Sequence, residues 1–435
     1  MKIRLVSFTT SYLCFLSLAA LSYEQQMMTD FFQYARLDDA IQQELFALAS
    51  VESTPKKFSL DTLIQLPLFN AYPALQEHIP YIKLGGMPTP LHHCKALGSM
   101  FKKTQVYIKC DNATSGTCNG QKLFGGNKVR KLEFLLADAV AQGARSVVTF
   151  GCAGSNHALA TAAYAQHLGL ESHLFLVDQH NSHVVQRNLL LDAYHNAKLV
   201  HAETKRDRFK LAAQFCKQHK GQFCSFPYII PLGGSCARGI VGFVNAAFEL
   251  KEQIDAGLLP EPKYIIVACG SYGTAAGLML GCKAAGLQSI IVPVAVEPDD
   301  AAGEIEEGIA QRFNDTAVLL AEYEPAFARY SLKPQDVQVV HAFEGSEYAL
   351  FIPEAMEALK ALKKAEGITL DGVYSAKAAC ALFSWLTHSK QDEPILFWNT
   401  FCADSFEELT SIVDYKNLPM EFHKYFTEDV QELDT

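Results

Sequence analysis

Two lysines stand one helical turn apart, Lys128 and Lys131, directly after Phe124-Gly125-Gly126-Asn127. The glycines relieve side-chain sterics at a helix start and Asn127 is a good cap, so both amines face one site. A second glycine turn, Gly151-Cys152-Ala153-Gly154, leads into Ser155-Asn156-His157. A third, Cys269-Gly270-Ser271-Tyr272-Gly273-Thr274, follows the apolar run Tyr264 to Ala268. Each turn opens a helix, and a helix start offers free N–H groups and partial positive charge to a carboxylate or phosphate. In the third, Thr274 adds a hydroxyl donor. The chemistry suggested is that of an amine beside an anion cradle. Taken singly, each piece is equally an ordinary capped helix or strand-to-helix turn, and the third suits a nucleotide as well. Its glycines form neither GxGxxG nor GxxxxGK[ST].

The elements that would position these groups follow from periodicity. Leu132, Leu135, Leu136, Ala139 and Val140 have helical spacing, and Gly143 is placed to end that helix. Apolar runs at Val106 to Lys109, Val147 to Phe150, Leu174 to Val177, Leu199 to Val200 and Phe223 to Ile230 predict strands. Helical patterns near Ala158 to Leu168, Val184 to Ala193 and Phe209 to Lys217 alternate with them. A second series of strands is expected at Tyr264 to Ala268, Ile290 to Val296, Val337 to Val340 and Ile395 to Trp398. Such alternation predicts an α/β protein with two open, mostly parallel sheets, helices on both faces, and a cleft between two domains.

The stretch GGNKVRKLEFLLADA followed by SNHA resembles the D-cysteine desulfhydrase and 1-aminocyclopropane-1-carboxylate deaminase family, pyridoxal-phosphate enzymes with the tryptophan-synthase-β type of fold (fold type II). The resemblance implies that Lys128 carries pyridoxal 5'-phosphate and that Lys131 adds a cation nearby. Gly270, Ser271, Gly273 and Thr274 resemble the family's GSxGT phosphate loop. Ser155 and Asn156 would hold the substrate carboxylate and the cofactor's ring oxygen, with Ser155 proposed in proton traffic. His157 agrees with the desulfhydrase-like branch as a substrate-side residue, a capping or solvent-facing histidine being the alternative. Glu347-Tyr348 and Val373-Tyr374-Ser375-Ala376-Lys377 resemble EYG and VYxGK, which would put Tyr348 and Tyr374 on the substrate side as catalytic groups. Ser375 would face the pyridine nitrogen, where deaminases carry glutamate and desulfhydrases threonine. A hydroxyl there is expected to leave the ring largely neutral and to suit β-elimination of a thiol. Ala349, Ala376 and Trp398 to Cys402 depart from the pattern. The resemblance thus points to a lyase acting on a small amino acid, foremost D-cysteine, with the deaminase and a non-catalytic binder of the cofactor or of D-amino acids as alternatives. It also implies a homodimer.

The chain has 435 residues, 49% hydrophobic and 19% charged, enough to bury a sizeable core. A net charge near −10 argues against nucleic acid or anionic membrane as a partner. Residues 1–22, with Lys2 and Arg4 before an apolar run interrupted by serine and threonine, resemble a secretory signal peptide; a misplaced start or a buried N-terminal helix is the alternative. Cleavage would place the protein outside the cytoplasm without stable membrane insertion, and its absence would leave it cytoplasmic. Residues 23–80 read as a helical extension. By resemblance, 81–141 and 239–435 form the large cofactor domain and 142–238 a small inserted one. Twelve cysteines without CxxC spacing indicate neither a disulfide framework nor a metal site, although Cys110 and Cys118 could close a small loop on export.

Overall fold

The computed structural model of the chain describes residues 65–118, 120–223, 226–298 and 303–434. The signal-like segment and most of the 23–80 extension lie outside the described residues. Strands β1 (Leu91–His93), β2 (Val106–Cys110), β3 (Thr117–Cys118) and β4 (Gln121–Lys122) come first. Then follow β5 (Ser146–Cys152), β6 (Glu171–Val177), β7 (Lys198–Ala202), β8 (Tyr228–Ile230), β9 (Tyr264–Cys269), β10 (Ile290–Ala295) and β11 (Ile395–Asn399). The longer helices are α1 (Lys128–Ala141), α2 (Asn156–His167), α3 (His183–Tyr194), α4 (Lys205–Phe223) and α5 (Ala237–Asp255). They continue with α6 (Gly273–Ala285), α7 (Glu304–Ala321), α8 (Pro353–Glu366) and α9 (Ser375–His388).

Consecutive strands between residues 146 and 230 form one parallel sheet in the order β7-β6-β5-β8. A second sheet, β1-β2-β11-β9-β10, draws its strands from both sides of that segment and is parallel apart from the antiparallel edge pair β1 and β2. Parallel neighbours need crossovers, which the helices supply. In β11, Ile395 and Phe397 join the apolar cluster of α8 and α9, whereas Leu396 and Trp398 join that of α5, α6 and α7. This period of two means that both faces of the sheet are covered, as the α/β reading requires.

Two expected strands differ. Phe223 is the last residue of α4, and only Tyr228–Ile230 pairs as a strand. The Val337 to Val340 run contributes a single bridge, Val340 to Val294, after a tight turn at Pro334–Asp336. Its valines favour extended backbone, but β10 is beside the chain at one position only. Cys110 and Cys118 are both free thiols and close no loop. Among the described residues no helix is long and apolar enough to cross a membrane.

Candidate active site in the cleft

The start of α1 is tied to the end of β11. Asn127 N donates to Thr400 O at 3.0 Å, and a Cβ on Gly126 (φ 89°) would come within 2.9 Å of that same oxygen. Asn127 does not cap the helix as expected: it has helical backbone angles and no side-chain cap bond. Its Nδ2 instead donates to Thr274 Oγ1 at 3.2 Å, while its Oδ1 accepts from Lys128 Nζ at 3.2 Å. The asparagine thereby links the lysine turn to the anion turn. Desolvation lowers the Lys128 amine to about 8, partly opposed by the charge of Asp371. Lys131 is completely buried, and burial together with Lys128 holds its amine well below the usual lysine range.

Lys131 Nζ donates to Gly233 O at 3.0 Å and Ser235 Oγ at 2.8 Å. These belong to the turn Pro231 to Ser235, which follows β8 and which the sequence reading did not single out. Gly233 and Gly234 both have positive φ, and a Cβ on Gly233 would come 2.1 Å from Ser271 Oγ. Ser235 and Ser271 share a hydroxyl contact of 2.8 Å. At the first residue of α6, a Cβ on Gly273 would lie 2.6 Å from Ser235 Oγ and 2.9 Å from Lys131 Nζ. Two hydroxyls, one amine and a helix N-terminus therefore converge around a position that only glycine leaves open. Tyr272 enters this turn at φ 68°, its ring covered by the Arg312 guanidinium at 4.9 Å.

Across the cleft, Ser155 caps α2 by accepting from Ala158 N at 3.1 Å, which leaves its hydroxyl proton for another partner. Asn156 Oδ1 accepts from Asn188 Nδ2 at 3.0 Å, so its own amide N–H groups are the part left to donate. His157 is neither a cap nor solvent-facing. It is buried, with Nε2 paired to Thr149 Oγ1 at 2.9 Å, and burial beside two lysines holds its imidazole well below the usual range. The Tyr348 and Tyr374 hydroxyls bond to each other, and desolvation raises both phenols. Ser375 is buried at the first position of α9, bonded to Asp371.

One cavity of about 1010 Å³ brings together Lys128, Ser155, Asn156, His157, Tyr348 and Tyr374. Gly270, Ser271 and Thr274 line it too; Gly273 and Lys131 are not among the lining residues, and a Cβ on Gly273 would meet Lys131 Nζ. Asp371, Thr400 and Phe401 complete part of the wall. Away from the cleft, His92, Cys94 and Glu366 place ligand-type atoms within 4.8 Å of one another. There the Glu366 carboxylate is already held by Leu97 N at 2.7 Å and His92 Nε2 at 2.8 Å.

Residues 82–400 match the family model described as pyridoxal-phosphate dependent enzyme. The chain is 32% identical over 330 residues to a D-cysteine desulfhydrase of Serratia proteamaculans, an alignment covering 74% of this chain and 93% of that one. It is 33% identical over 334 residues to the mitochondrial bifunctional D-cysteine desulfhydrase/1-aminocyclopropane-1-carboxylate deaminase of Arabidopsis thaliana, covering 73% and 77%. A solved structure described as an ACC deaminase homologue superposes with a TM-score of 0.66 at 28% identity, covering 78% of this chain and 98% of the other. The chain belongs to the pyridoxal-phosphate-dependent enzyme family.

Pyridoxal phosphate needs an amine, a cradle for its phosphate, a neighbour for its ring nitrogen and, for catalysis, a holder for the substrate carboxylate. The residues present fit it. The cradle around Gly273 has the donors a phosphate requires, and a partly neutral lysine lies next to it. The departures from the family pattern are also placed. Ala349 is buried with φ 63°, a conformation that usually calls for glycine, and Thr400 and Phe401 stand in the cavity wall. Two features of the site escaped the sequence reading, the Pro231 to Ser235 turn and Asp371. The first had a local signal in its paired glycines; the second had none.

Proposed function

We propose that the chain is a D-cysteine desulfhydrase, converting D-cysteine and water to pyruvate, ammonia and hydrogen sulfide. The observation that carries this is the single cavity in which the Lys128 amine, the Ser155 helix start and the Tyr348–Tyr374 pair meet. The sequence relatives support the choice of substrate. In this reading Lys128 holds the cofactor, Lys131, Gly270, Ser271, Gly273 and Thr274 hold its phosphate, and Asn156 and Ser375 contact its ring. When bound, pyridoxal phosphate supplies the electron sink that makes the substrate α-proton acidic.

The chain's own groups divide the remaining work. Ser155 Oγ–H and the Asn156 amide donate to the substrate carboxylate at the start of α2, with neutral His157 behind them. Lys128, whose amine is lowered to about 8, is the group able to accept the α-proton near neutral pH. Tyr348 and Tyr374 keep their protons because burial raises them; one proton lies in the bond between them, so the pair has one left to donate, and the departing sulfur is the acceptor it suits. Residues 142–238 act as a small domain over the cleft of the unit formed by 81–141 and 239–435. A homodimer is the proposed assembly, and compartment follows whether residues 1–22 are removed: exported if so, cytoplasmic otherwise.

The test is purified protein with pyridoxal phosphate, offered D-cysteine, L-cysteine and 1-aminocyclopropane-1-carboxylate in parallel. Sulfide and pyruvate from D-cysteine are expected, and should disappear with Lys128→Ala. Turnover of the cyclopropane alone would select the deaminase, and cofactor binding without any turnover would select the binding-protein reading.

A further inference from the structure

Tyr348 lines the cavity and meets the Tyr374 hydroxyl there, and the residue after it is held in an unfavourable conformation. Ala349 is completely buried at φ 63°, where its Cβ crowds the backbone and where alanine rests only if its surroundings impose it. One side chain grips the backbone at this point. Gln431 Nε2 donates to Ala349 O at 3.2 Å, and its Oε1 accepts from Phe351 N at 2.8 Å. These two bonds fix the Ala349 carbonyl, so φ at that residue sets the direction in which Tyr348 leaves it.

Gln431 is itself anchored from the Ser155 side. Its backbone N donates to Asn181 O at 3.0 Å, and Asn181 Nδ2 donates to Tyr425 O at 3.1 Å and Glu428 O at 3.0 Å. Gln179 N donates to Tyr425 Oη at 3.0 Å, while Gln179 Oε1 accepts from Gly154 N at 2.9 Å, directly before Ser155. The C-terminal segment thus takes its place from the turn that presents Ser155 and passes it to the backbone that carries Tyr348. Leu433 packs on the apolar cluster of Ala349, Phe351, Met356 and Val373. Tyr425, Gln431 and Leu433 all lie beyond residue 400, where the match to the family model ends.

We propose that Gln431 is a positioning residue, which holds Ala349 in the strained conformation that turns Tyr348 towards Tyr374 in the cavity. Its effect on turnover rests on the reading of the tyrosine pair as proton donor to the departing sulfur. The placement of Tyr348 does not depend on that reading.

The experiment follows Tyr374 by carbon-13 NMR of protein labelled at tyrosine Cζ, cofactor-free and loaded with pyridoxal phosphate, the signal being assigned with Tyr374→Phe. Tyr348→Phe removes the partner hydroxyl and so defines the shift of an unpaired Tyr374. Gln431→Ala is expected to move the signal towards that shift. Adding Ala349→Gly to it should return the signal towards wild type, because glycine keeps a positive φ without being held. Gln431→Glu retains the acceptor for Phe351 N and the backbone anchor but sets an oxygen against Ala349 O. It is expected to move the signal as Gln431→Ala does, and it serves if Gln431→Ala frees the whole segment. With D-cysteine, both single variants should lose about 10- to 100-fold in kcat with KM within about threefold, and Ala349→Gly should recover most of that loss. A Tyr374 signal that stays at the wild-type shift in Gln431→Ala or in Gln431→Glu overturns the proposal. So does a displaced signal that Ala349→Gly leaves displaced, the mark of a segment that only stabilises the fold. A wild type that releases no sulfide defeats the desulfhydrase reading instead, and the NMR comparison then decides the placement by itself.

Discussion

Arg130 Nη1 donates to Glu249 Oε2 at 2.9 Å, two residues along α1 from Lys128, with the two side chains 1% and 3% exposed. Arg130 also grips Asp111 through Nε and Nη2, at 2.9 and 2.8 Å. Lys109 at the end of β2 donates to Glu249 Oε1 at 2.6 Å and to Gln253 Oε1 at 2.7 Å, and Trp398 Nε1 donates to Asp111 Oδ2 at 2.7 Å. Two cations and two carboxylates thus pin β2, α1, α5 and β11 together beneath the lysine turn. Buried ion pairs contribute little net stability against apolar substitutes, but they fix geometry, and losing one partner is costly.

Glu249→Gln is expected to lose about 3–5 kcal/mol of stability, because Arg130 and Lys109 would then face one carboxylate. Arg130 and Lys109 hold the Glu249 carboxyl down to about 2 despite its burial. A depressed carboxyl contributes stability above its ordinary value of 4.5 and loses it as pH falls from 4.5 towards 2. Urea unfolding of wild type and variant across that window should converge at the acid end.

Glu133 has the opposite sign. Burial raises its carboxyl from 4.5 to about 7, opposed by bonds from Leu84 N at 3.0 Å and Gly85 N at 3.1 Å. Between those values the folded chain keeps a proton that the unfolded chain releases, so this contribution to stability falls as pH rises from 4.5 to 7. Glu133→Gln keeps the acceptor oxygen and should flatten the slope in that window, measured by the same unfolding series.

With its amine lowered to about 8, Lys128 should react with a carbonyl reagent and hydride well below the pH at which ordinary lysines do. Mass-spectrometric mapping of the cofactor-free protein is expected to give a labelling midpoint near 8 at this residue. Because the folded amine binds fewer protons than the unfolded one from 8 up to 10.5, its contribution to stability should grow as pH rises through that interval.

Gly273→Ala should weaken pyridoxal-phosphate binding at least about tenfold, since the added carbon would press on Lys131 Nζ and Ser235 Oγ inside the cradle. Titration of the cofactor by absorbance tests this. The melting temperature of the cofactor-free variant shows how much of the effect is folding.

Gln431 ties the C-terminal segment to both sides of the cleft. Its backbone N donates to Asn181 O at 3.0 Å, while its side chain accepts from Phe351 N at 2.8 Å and donates to Ala349 O at 3.2 Å. Gln431→Ala is expected to cost about 1–3 kcal/mol and to raise amide exchange around Asn181 and Phe351. Hydrogen-exchange mass spectrometry measures both sides at once.

Local pattern determined much of this protein. The glycine turns before α1, α2 and α6, the alternation of apolar runs and the spacing of Lys128 and Lys131 are features of neighbouring residues, and neighbouring residues set turns, helix starts and buried faces. The same reasoning erred at Val337 to Val340, because extended preference is local while strand pairing needs a partner in register. Asn127 looked like a cap and became a bridge to Thr274, a residue 147 positions away. Tertiary structure alone decided what each buried polar group does. The serine at 375 carries no mark that it bonds to Asp371, and the glutamate at 249 none that it pairs with Lys109 and Arg130. A buried charge or hydroxyl takes its state from whatever the fold sets against it, and sequence distance does not disclose that partner.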